Sequence, residues 1–407
     1  MTYFVVAVFT LVYAGMALGR WPGLGIDRTG IALLGGILTY VAGAVAASEV
    51  AQAIDWPTLF LLFGLMILSA QFAACGFYDW CAARIAATPA PPAAILALTV
   101  AVAGGLSAVL ANDVVVFAMT PMLCAGLAAR GLDPRPFLIA LAGAANAGSA
   151  ATVIGNPQNI VIGQAGGLEF WPFLWLCGPP ALAGLAAVYA VVRWRWAAAL
   201  VPRAAPPVAL PALDRQGLAK AVVATGAILV LFATPLPQVT GVLAVAGALL
   251  VSRRLSTTRM LGLVDWHLLV LFAGLFVVTH AFAATGIAQA GLAGLAAAGL
   301  PVDRLSVLAV LALAGSNTIG NVPAVVLLLG VMPQPSAAFL HALAVLSTLA
   351  GNLFIVGSLA NIIVVERARQ SGVALSFAEH ARCGVPMTLI SFVIAIAWFA
   401  GLGTLPL

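Results

Sequence analysis

The chain has 407 residues, 63% of them hydrophobic and only 7% charged. Soluble domains carry about 25% charged residues, so this composition excludes a soluble enzyme or binding module and predicts a polytopic membrane protein. The net charge of +5 comes from arginines scattered one or a few to each short loop, which is no nucleic-acid footprint.

Taken in order, the apolar runs predict an all-α protein with ten spans and two special segments. Residues 2–19 lack a basic leader and an A-x-A site before polar sequence, so they read as a span and not a signal peptide. Residues 28–47 and 56–76 follow. Residues 93–129 form one long apolar segment interrupted at Asn112-Asp113. Residues 136–164 would cross the bilayer, yet their middle reads Gly155-Asn156-Pro157-Gln158-Asn159. Pro157 lacks an N–H and clashes with the preceding turn, and Gly155 costs ~1 kcal/mol relative to Ala in a helix. A helix broken inside the membrane is predicted, with its freed backbone groups and amides lining an enclosed cavity. Span five is 171–195. Residues 196–216, with Pro202, Pro206, Pro207 and Pro211, read as a cytoplasmic linker between an N-terminal half, 1–195, and a C-terminal half, 217–407. The second half supplies spans at 217–234, 236–252 and 265–286. It continues with a segment at 304–331 interrupted by Ser316-Asn317-Thr318 and Asn321, a broken span at 336–365, and a last span at 383–402.

The halves repeat. Asp55 through Gly76 matches Asp265 through Gly286 at a constant offset of 210, with ten of 22 positions identical. Ser107 and Asn112 match Ser316 and Asn321 at an offset of 209, and Gly155 and Asn159 match Gly357 and Asn361 at 202. Cys177-Gly178-x-Pro180 matches Cys383-Gly384-x-Pro386 at 206. Five spans per half is an odd number, so the halves must lie in opposite orientations, as two inverted-topology repeats. If 93–129 and 304–331 are re-entrant hairpins, 16 of the 17 basic residues fall on one face and only Arg304 on the other. The crowded face is then cytoplasmic and both termini lie outside.

Two hairpins and two broken helices would bring four half-helix N-termini together, each carrying about +0.5 e. That predicts an anion site made without Arg or Lys, with Asn112 and Asn321 as N-caps. The first-half residues Asn146, Ser149, Thr152, Gly155, Asn156 and Asn159 are its candidates. Ser316, Asn317, Thr318, Asn321, Asn352, Gly357, Ser358 and Asn361 are their second-half partners. The repeat-related Asn159 and Asn361 are expected to touch solute or ion. Asp113 is the one carboxylate deep in a membrane segment, where acids mark ion or proton pathways. Its counterpart at offset 209 is Val322, so it breaks the symmetry of the hairpins and is the expected coupling residue. His280 and His341 read as packing histidines. The cysteines Cys75, Cys81, Cys124, Cys177 and Cys383 show neither metal-ligand nor disulfide spacing. No metalloenzyme motif, nucleophile–base pair or nucleotide-binding loop is present.

The most specific segments are LANDVVVFAMTP at 110–121, ANAGSAATVIGNPQNIVIG at 145–163, SNTIGNVP at 316–323 and GNLFIVGSLANIIV at 351–364. Together they resemble the ion transporter superfamily of arsenite-efflux permeases, sodium–proton antiporters, citrate transporters and divalent-anion symporters. The Ala111-Asn112-Asp113 run through Thr120-Pro121 resembles the arsenite-permease side, and GNPQN resembles uncharacterised anion permeases. Ser316-Asn317-Thr318 resembles the divalent-anion symporter signature, but Ala111-Asn112-Asp113 replaces it in the first hairpin. The resemblance implies a homodimer in lipid with a scaffold and a mobile transport unit, no organic cofactor, and a possible sodium ion. A separate ATPase subunit is a conceivable partner. The reading is a secondary active transporter of a small anion or oxyanion in the cytoplasmic membrane, coupled to protons or sodium. Arsenite or silicic-acid efflux, sodium–proton exchange and a channel are the alternatives.

A periplasm-active reporter fused after Leu407 should be active and one placed in the 196–216 loop inactive. The opposite result would refute the predicted topology.

Overall fold

The computed structural model describes residues 1–201, 210–252, 255–332, 334–403 and 405–406. The middle of the predicted linker, with Arg203, and the basic pair Arg253 and Arg254 lie outside the described residues. All regular structure among the described residues is helical. The first half contains α1 (Thr2–Leu18), α2 (Arg28–Val41), α3 (Ala47–Ala53), α4 (Trp56–Ala74), α5 (Phe77–Ala87), α6 (Pro92–Val109), α7 (Asn112–Ala129), α8 (Arg135–Ser149), α9 (Pro157–Gly166) and α10 (Phe170–Arg195). The second contains α11 (Arg215–Leu231), α12 (Gln238–Leu250), α13 (Thr257–Leu261), α14 (Trp266–Ala283), α15 (Ile287–Ala297), α16 (Leu305–Thr318), α17 (Asn321–Val331), α18 (Ala337–Ala350), α19 (Leu359–Gln370) and α20 (Phe377–Gly401). Six of these, α4, α6, α7, α10, α14 and α20, are long and apolar enough to cross a membrane. The short helices α3, α5, α13 and α15 are additions to the elements predicted from the apolar runs.

Local chemistry recurs at the offset of 210. The carboxylate of Asp55 accepts from the backbone N–H of Thr58 at 3.1 Å, and that of Asp265 from Leu268 at 3.0 Å. These acids cap α4 and α14 and satisfy N–H groups that a helix start leaves open. The indoles of Trp56 and Trp266 reach back to the carbonyls of Ala51 and Leu261, each at 2.9 Å.

Tertiary contacts sort the helices into two packs. In the first, α2 lies along α14, α4 lies along α12, and α1 and α11 cover them. A methyl on Gly274 would come within 2.6 Å of the Ala32 backbone, and one on Gly64 within 2.6 Å of Val242. Positions 32 and 274 thus meet in one place, and their offset-210 counterparts 242 and 64 meet in another. The second pack holds α6 against α8, α10 against α20, α16 against α18, and α7 against α19. Arg130, at the end of α7, donates to the carbonyls of Ala86 and Thr88 at 2.7 Å each, so α7 returns to where α6 begins. Each arm of this hairpin has 18 residues, about 27 Å of helix, whereas the α16 and α17 arms have 14 and 11 residues.

One end of the molecule gathers charge. Arg135 bridges Asp133 at 2.7 Å and Glu379 at 2.5 Å, and its guanidinium lies 5.2 Å from the centre of the Trp196 ring. Burial alone would raise the Asp133 carboxyl, but the hydrogen bonds and charge of Arg135 outweigh it and hold it below its ordinary value.

The tightest backbone approach is between α6 and α8, where a Cβ on Gly148 would collide with the carbonyl group of Gly104. Overpacking typically costs about 1–3 kcal/mol, and a collision with backbone has no flexible side chain to yield. Gly148→Ala should therefore lower the melting temperature in detergent clearly. Gly226→Ala, with open space around it, should leave it unchanged.

Candidate functional site

Both helix breaks occur where the sequence places them. Between α8 and α9, Asn156 sits in extended conformation as N-cap, its Oδ1 accepting from the Asn159 N–H at 2.8 Å. Its Nδ2 donates to Ser149 Oγ at 2.9 Å and Thr348 Oγ1 at 3.2 Å. Between α18 and α19, Gly351 through Ser358 carries a single 3-10 turn, and Ser358 Oγ caps α19 by accepting from the Ala360 N–H at 3.2 Å.

The repeat-related amides close the breaks in the same way. Asn159 Nδ2 donates to the carbonyls of Ser149 (3.2 Å) and Thr152 (3.0 Å). Asn361 Nδ2 donates to those of Gly351 (2.7 Å) and Phe354 (3.1 Å), the same positions at the offset of 202. The halves then exchange partners. Thr348 meets Asn156 and Asn159 at 3.2 and 3.4 Å, and Asn146 meets Ser358 and Asn361 at 2.9 and 3.1 Å. Asn146 and Thr348 are themselves counterparts at that offset, so the contact is reciprocal. Asn352 completes the net, accepting from Asn146 at 2.8 Å and donating to the Gly143 carbonyl at 3.2 Å.

The hairpin tips lean on these breaks. The Asn112 N–H donates to the Gly155 carbonyl at 3.4 Å, and Thr152 donates to Ala108. Ser316 donates to Ser347, and Asn317 to Ala350 at 2.9 Å. Asn112 and Asn321 do not act as caps, contrary to the expectation. Ala111 and Gly320 hold the N-cap positions, because the chain turns one residue earlier, at Gly320 with a φ of +96°. Thr318 bonds its own helix at Ala314 and faces away from the net.

Beside this net lies a cavity of about 80 Å³. Its walls include the first residues of four helices: Asn112 and Asp113 of α7, Pro157 and Gln158 of α9, Asn321 of α17, and Leu359 of α19 with its cap Ser358. The buried Oδ1 atoms of Asn112 and Asn321 have no hydrogen-bond partner among the described residues. Each such atom left unpaired costs about 1–3 kcal/mol. Asp113 likewise makes no hydrogen bond or ion pair among the described residues. Asn159 and Asn361, 0% and 1% exposed, lie behind the wall, as do Asn146, Ser149, Thr152, Asn156 and Asn352.

The opposite wall comes from the other pack: Met16, Arg28, Leu268 and Leu271. Arg28 stands in this wall, where the sequence led to the expectation of a site without Arg or Lys. The sequence held one signal for it, a cation as the first residue of a helix, where the macrodipole disfavours positive charge.

Removing Asn159 or Asn361 would leave two carbonyls unpaired at a buried break. Asn159→Ala and Asn361→Ala should each cost about 1–3 kcal/mol, read as a lower melting temperature of purified protein. Unshifted melting in both would show that these amides do not hold the breaks.

Comparison with known proteins agrees with this architecture. Residues 5–339 match the family model described as citrate transporter. The "Uncharacterized transporter Rv2685" of Mycobacterium tuberculosis is 29% identical, covering 98% of this chain and 98% of that protein. The "Silicon efflux transporter LSI3" of Oryza sativa is 30% identical, covering 92% of this chain and 93% of that one. Among solved structures, the YdaH transporter of Alcanivorax borkumensis shares the fold with a TM-score of 0.58 at 14% identity, covering 98% of this chain and 97% of that chain. A helical bundle with spans enough for a membrane, internally satisfied helix breaks and a match over most of its length make this chain a member of the citrate transporter family, a multi-pass membrane transporter.

Proposed function

We propose that the protein is a secondary active transporter that carries a small anion or oxyanion across the cytoplasmic membrane by alternating access. The observation that carries this reading is the cavity itself, which lies between two packs of helices with one wall built from four helix starts. Four N-termini attract oxygen-rich, electron-rich groups. The reciprocal hydrogen bonds at the two breaks support an inverted repeat, whose two mirror-related arrangements give alternating access. In this reading α6–α10 and α16–α20 are the mobile unit, and α1, α2, α4, α11, α12 and α14 the scaffold of a homodimer, with elevator-like motion between them. The hairpins enter from opposite faces, the crowded basic face is cytoplasmic, and both termini lie outside.

Asp113 is the coupling residue in this proposal. It is the one acid in the cavity wall and has a free carboxylate to hold a proton or a sodium ion. The unpaired oxygens of Asn112 and Asn321 suit sodium, a hard cation that takes oxygen ligands.

A second reading is efflux of the arsenite or silicic-acid type. Asp113 favours it, since a second carboxylate about 4 Å away would cost about 4 kcal/mol at an effective dielectric near 20. The silicon efflux relative favours it too. Sodium–proton exchange remains the third reading, for which Asp113 alone would suffice.

Asp113→Asn should leave the protein folded but abolish gradient-driven flux. Proteoliposomes under an imposed proton gradient, then a sodium gradient, check this. Flux unchanged from wild type would reduce Asp113 to a residue of the α7 start and move coupling elsewhere.

A further inference from the structure

A second cleft, of about 430 Å³, opens at the charged end of the molecule. It is lined by Arg135 of α8, Arg195 and Trp196 at the end of α10, and Glu379 and Arg382 of α20. Arg135 is committed to Asp133 and Glu379. Those two acids stand against three guanidinium groups, which leaves one positive charge in excess. Arg195 and Arg382 are exposed and have no ion-pair partner among the described residues.

Packing does not account for this charge. Pro386 has no N–H to offer the carbonyl four residues earlier, that of Arg382, and Arg195 Nε donates to it at 3.3 Å. The same gap recurs at the offset of 206. There Pro180 leaves the Leu176 carbonyl open, and the neutral indole of Trp398 donates to it at 2.9 Å. An uncharged donor therefore suffices for that role. The other counterparts of the cleft are uncharged too: Ala337 for Arg135 at the offset of 202, and Phe173, Gly401 and Leu402 for Glu379, Arg195 and Trp196 at 206. The same helix ends thus pack without charge in one place and gather three arginines in the other.

We infer that this cleft binds a phosphate group, and that its source is the headgroup of an anionic phospholipid. With Nε held by the Arg382 carbonyl, the two Nη groups of Arg195 remain for a ligand, and a guanidinium fork matches two oxygens of one phosphate. Arg382 brings a second guanidinium to the same space. The volume lies within the range of small-ligand sites. The lipid source follows from position. Helices α10 and α20, of 26 and 25 residues, are each long and apolar enough to cross a membrane, and the cleft sits at the end of one and the start of the other. That is headgroup level, where basic pockets between membrane helices take anionic lipid. Trp194 marks the same level: its ring is 67% exposed, with the Arg195 guanidinium 4.9 Å from its centre, and such amphipathic rings are enriched at membrane interfaces. The inference is independent of the solute and requires only that the chain spans a membrane.

The test uses full-length protein, purified in neutral detergent and stripped of lipid. Its melting temperature is followed while dioleoylphosphatidylglycerol is titrated in, beside dioleoylphosphatidylcholine, whose choline cancels its charge, and inorganic phosphate. Each variant is read against its own lipid-free melting, so a variant that starts less stable remains informative. At saturation the phosphatidylglycerol should raise wild-type melting by about 3 °C or more, and the other two by less than about 1 °C. Arg195→Gln and Arg382→Gln should each raise the apparent dissociation constant of that lipid about tenfold, and Arg195→Lys should recover part of the loss. Arg193→Gln is the control, because Arg193 lies outside the cleft and donates to the Tyr189 hydroxyl. It should leave the constant within about twofold. An equal loss in Arg193→Gln would reveal diffuse attraction to a basic face and overturn the site. Equal stabilisation by phosphatidylcholine would overturn it as well. Inorganic phosphate as effective as phosphatidylglycerol would overturn the lipid as the source, and no shift with any of the three would overturn the inference entirely.

Discussion

A helix that stops inside an apolar protein leaves N–H and C=O groups with no water to take them. Everything at the centre of this molecule depends on meeting that demand. Asn159 and Asn361 supply two donors each to the carbonyls freed at the two breaks, and Asn156 and Ser358 accept from the N–H groups of the helices that restart. With those groups satisfied, the chain can turn within the interior, and four helix starts can face one small space.

The partner exchange between halves adds a second constraint. Thr348 bonds to the first break and Asn146 to the second, so neither break is complete without the opposite half. The two breaks are therefore one hydrogen-bonded unit, on which α6–α7 and α16–α17 lean. By contrast, contact between the two packs near the cavity is largely apolar on the α14 side, through Leu268 and Leu271, with Arg28 as its charged member. Apolar contact has no directional bonds to break when surfaces slide, whereas the amide net is directional and resists shear.

The charge arrangement is economical. Helix ends supply diffuse positive potential without desolvating a side chain, and only two formal charges line the cavity wall.

Several features were legible in the sequence because they are local. Composition identified the membrane class. Proline and glycine within apolar runs located the breaks at 155–159 and near 357, and the recurring polar residues revealed matching halves. Asp113 stood out because intramembrane acids are rare. The short helices α3, α5, α13 and α15 were missed, since at 5 to 11 residues they are too brief to show a helical period. The division of labour among the amides was not legible either. Asn156 caps, Asn159 ties the break, and Asn112 leaves a buried oxygen unpaired, yet all three are asparagines next to a turn. What each does depends on which carbonyl lies within reach once the helices have packed. Arg28 is the clearest case. In sequence it is one loop arginine among many, far from every motif. It enters the cavity wall only because α2 packs along α14 and brings its first turn opposite the tip of the first hairpin. Local pattern determined where the chain breaks and what class of surroundings it needs. Packing between residues hundreds of positions apart decided which side chains meet there, because side-chain reach is a property of the assembled helices and not of their order.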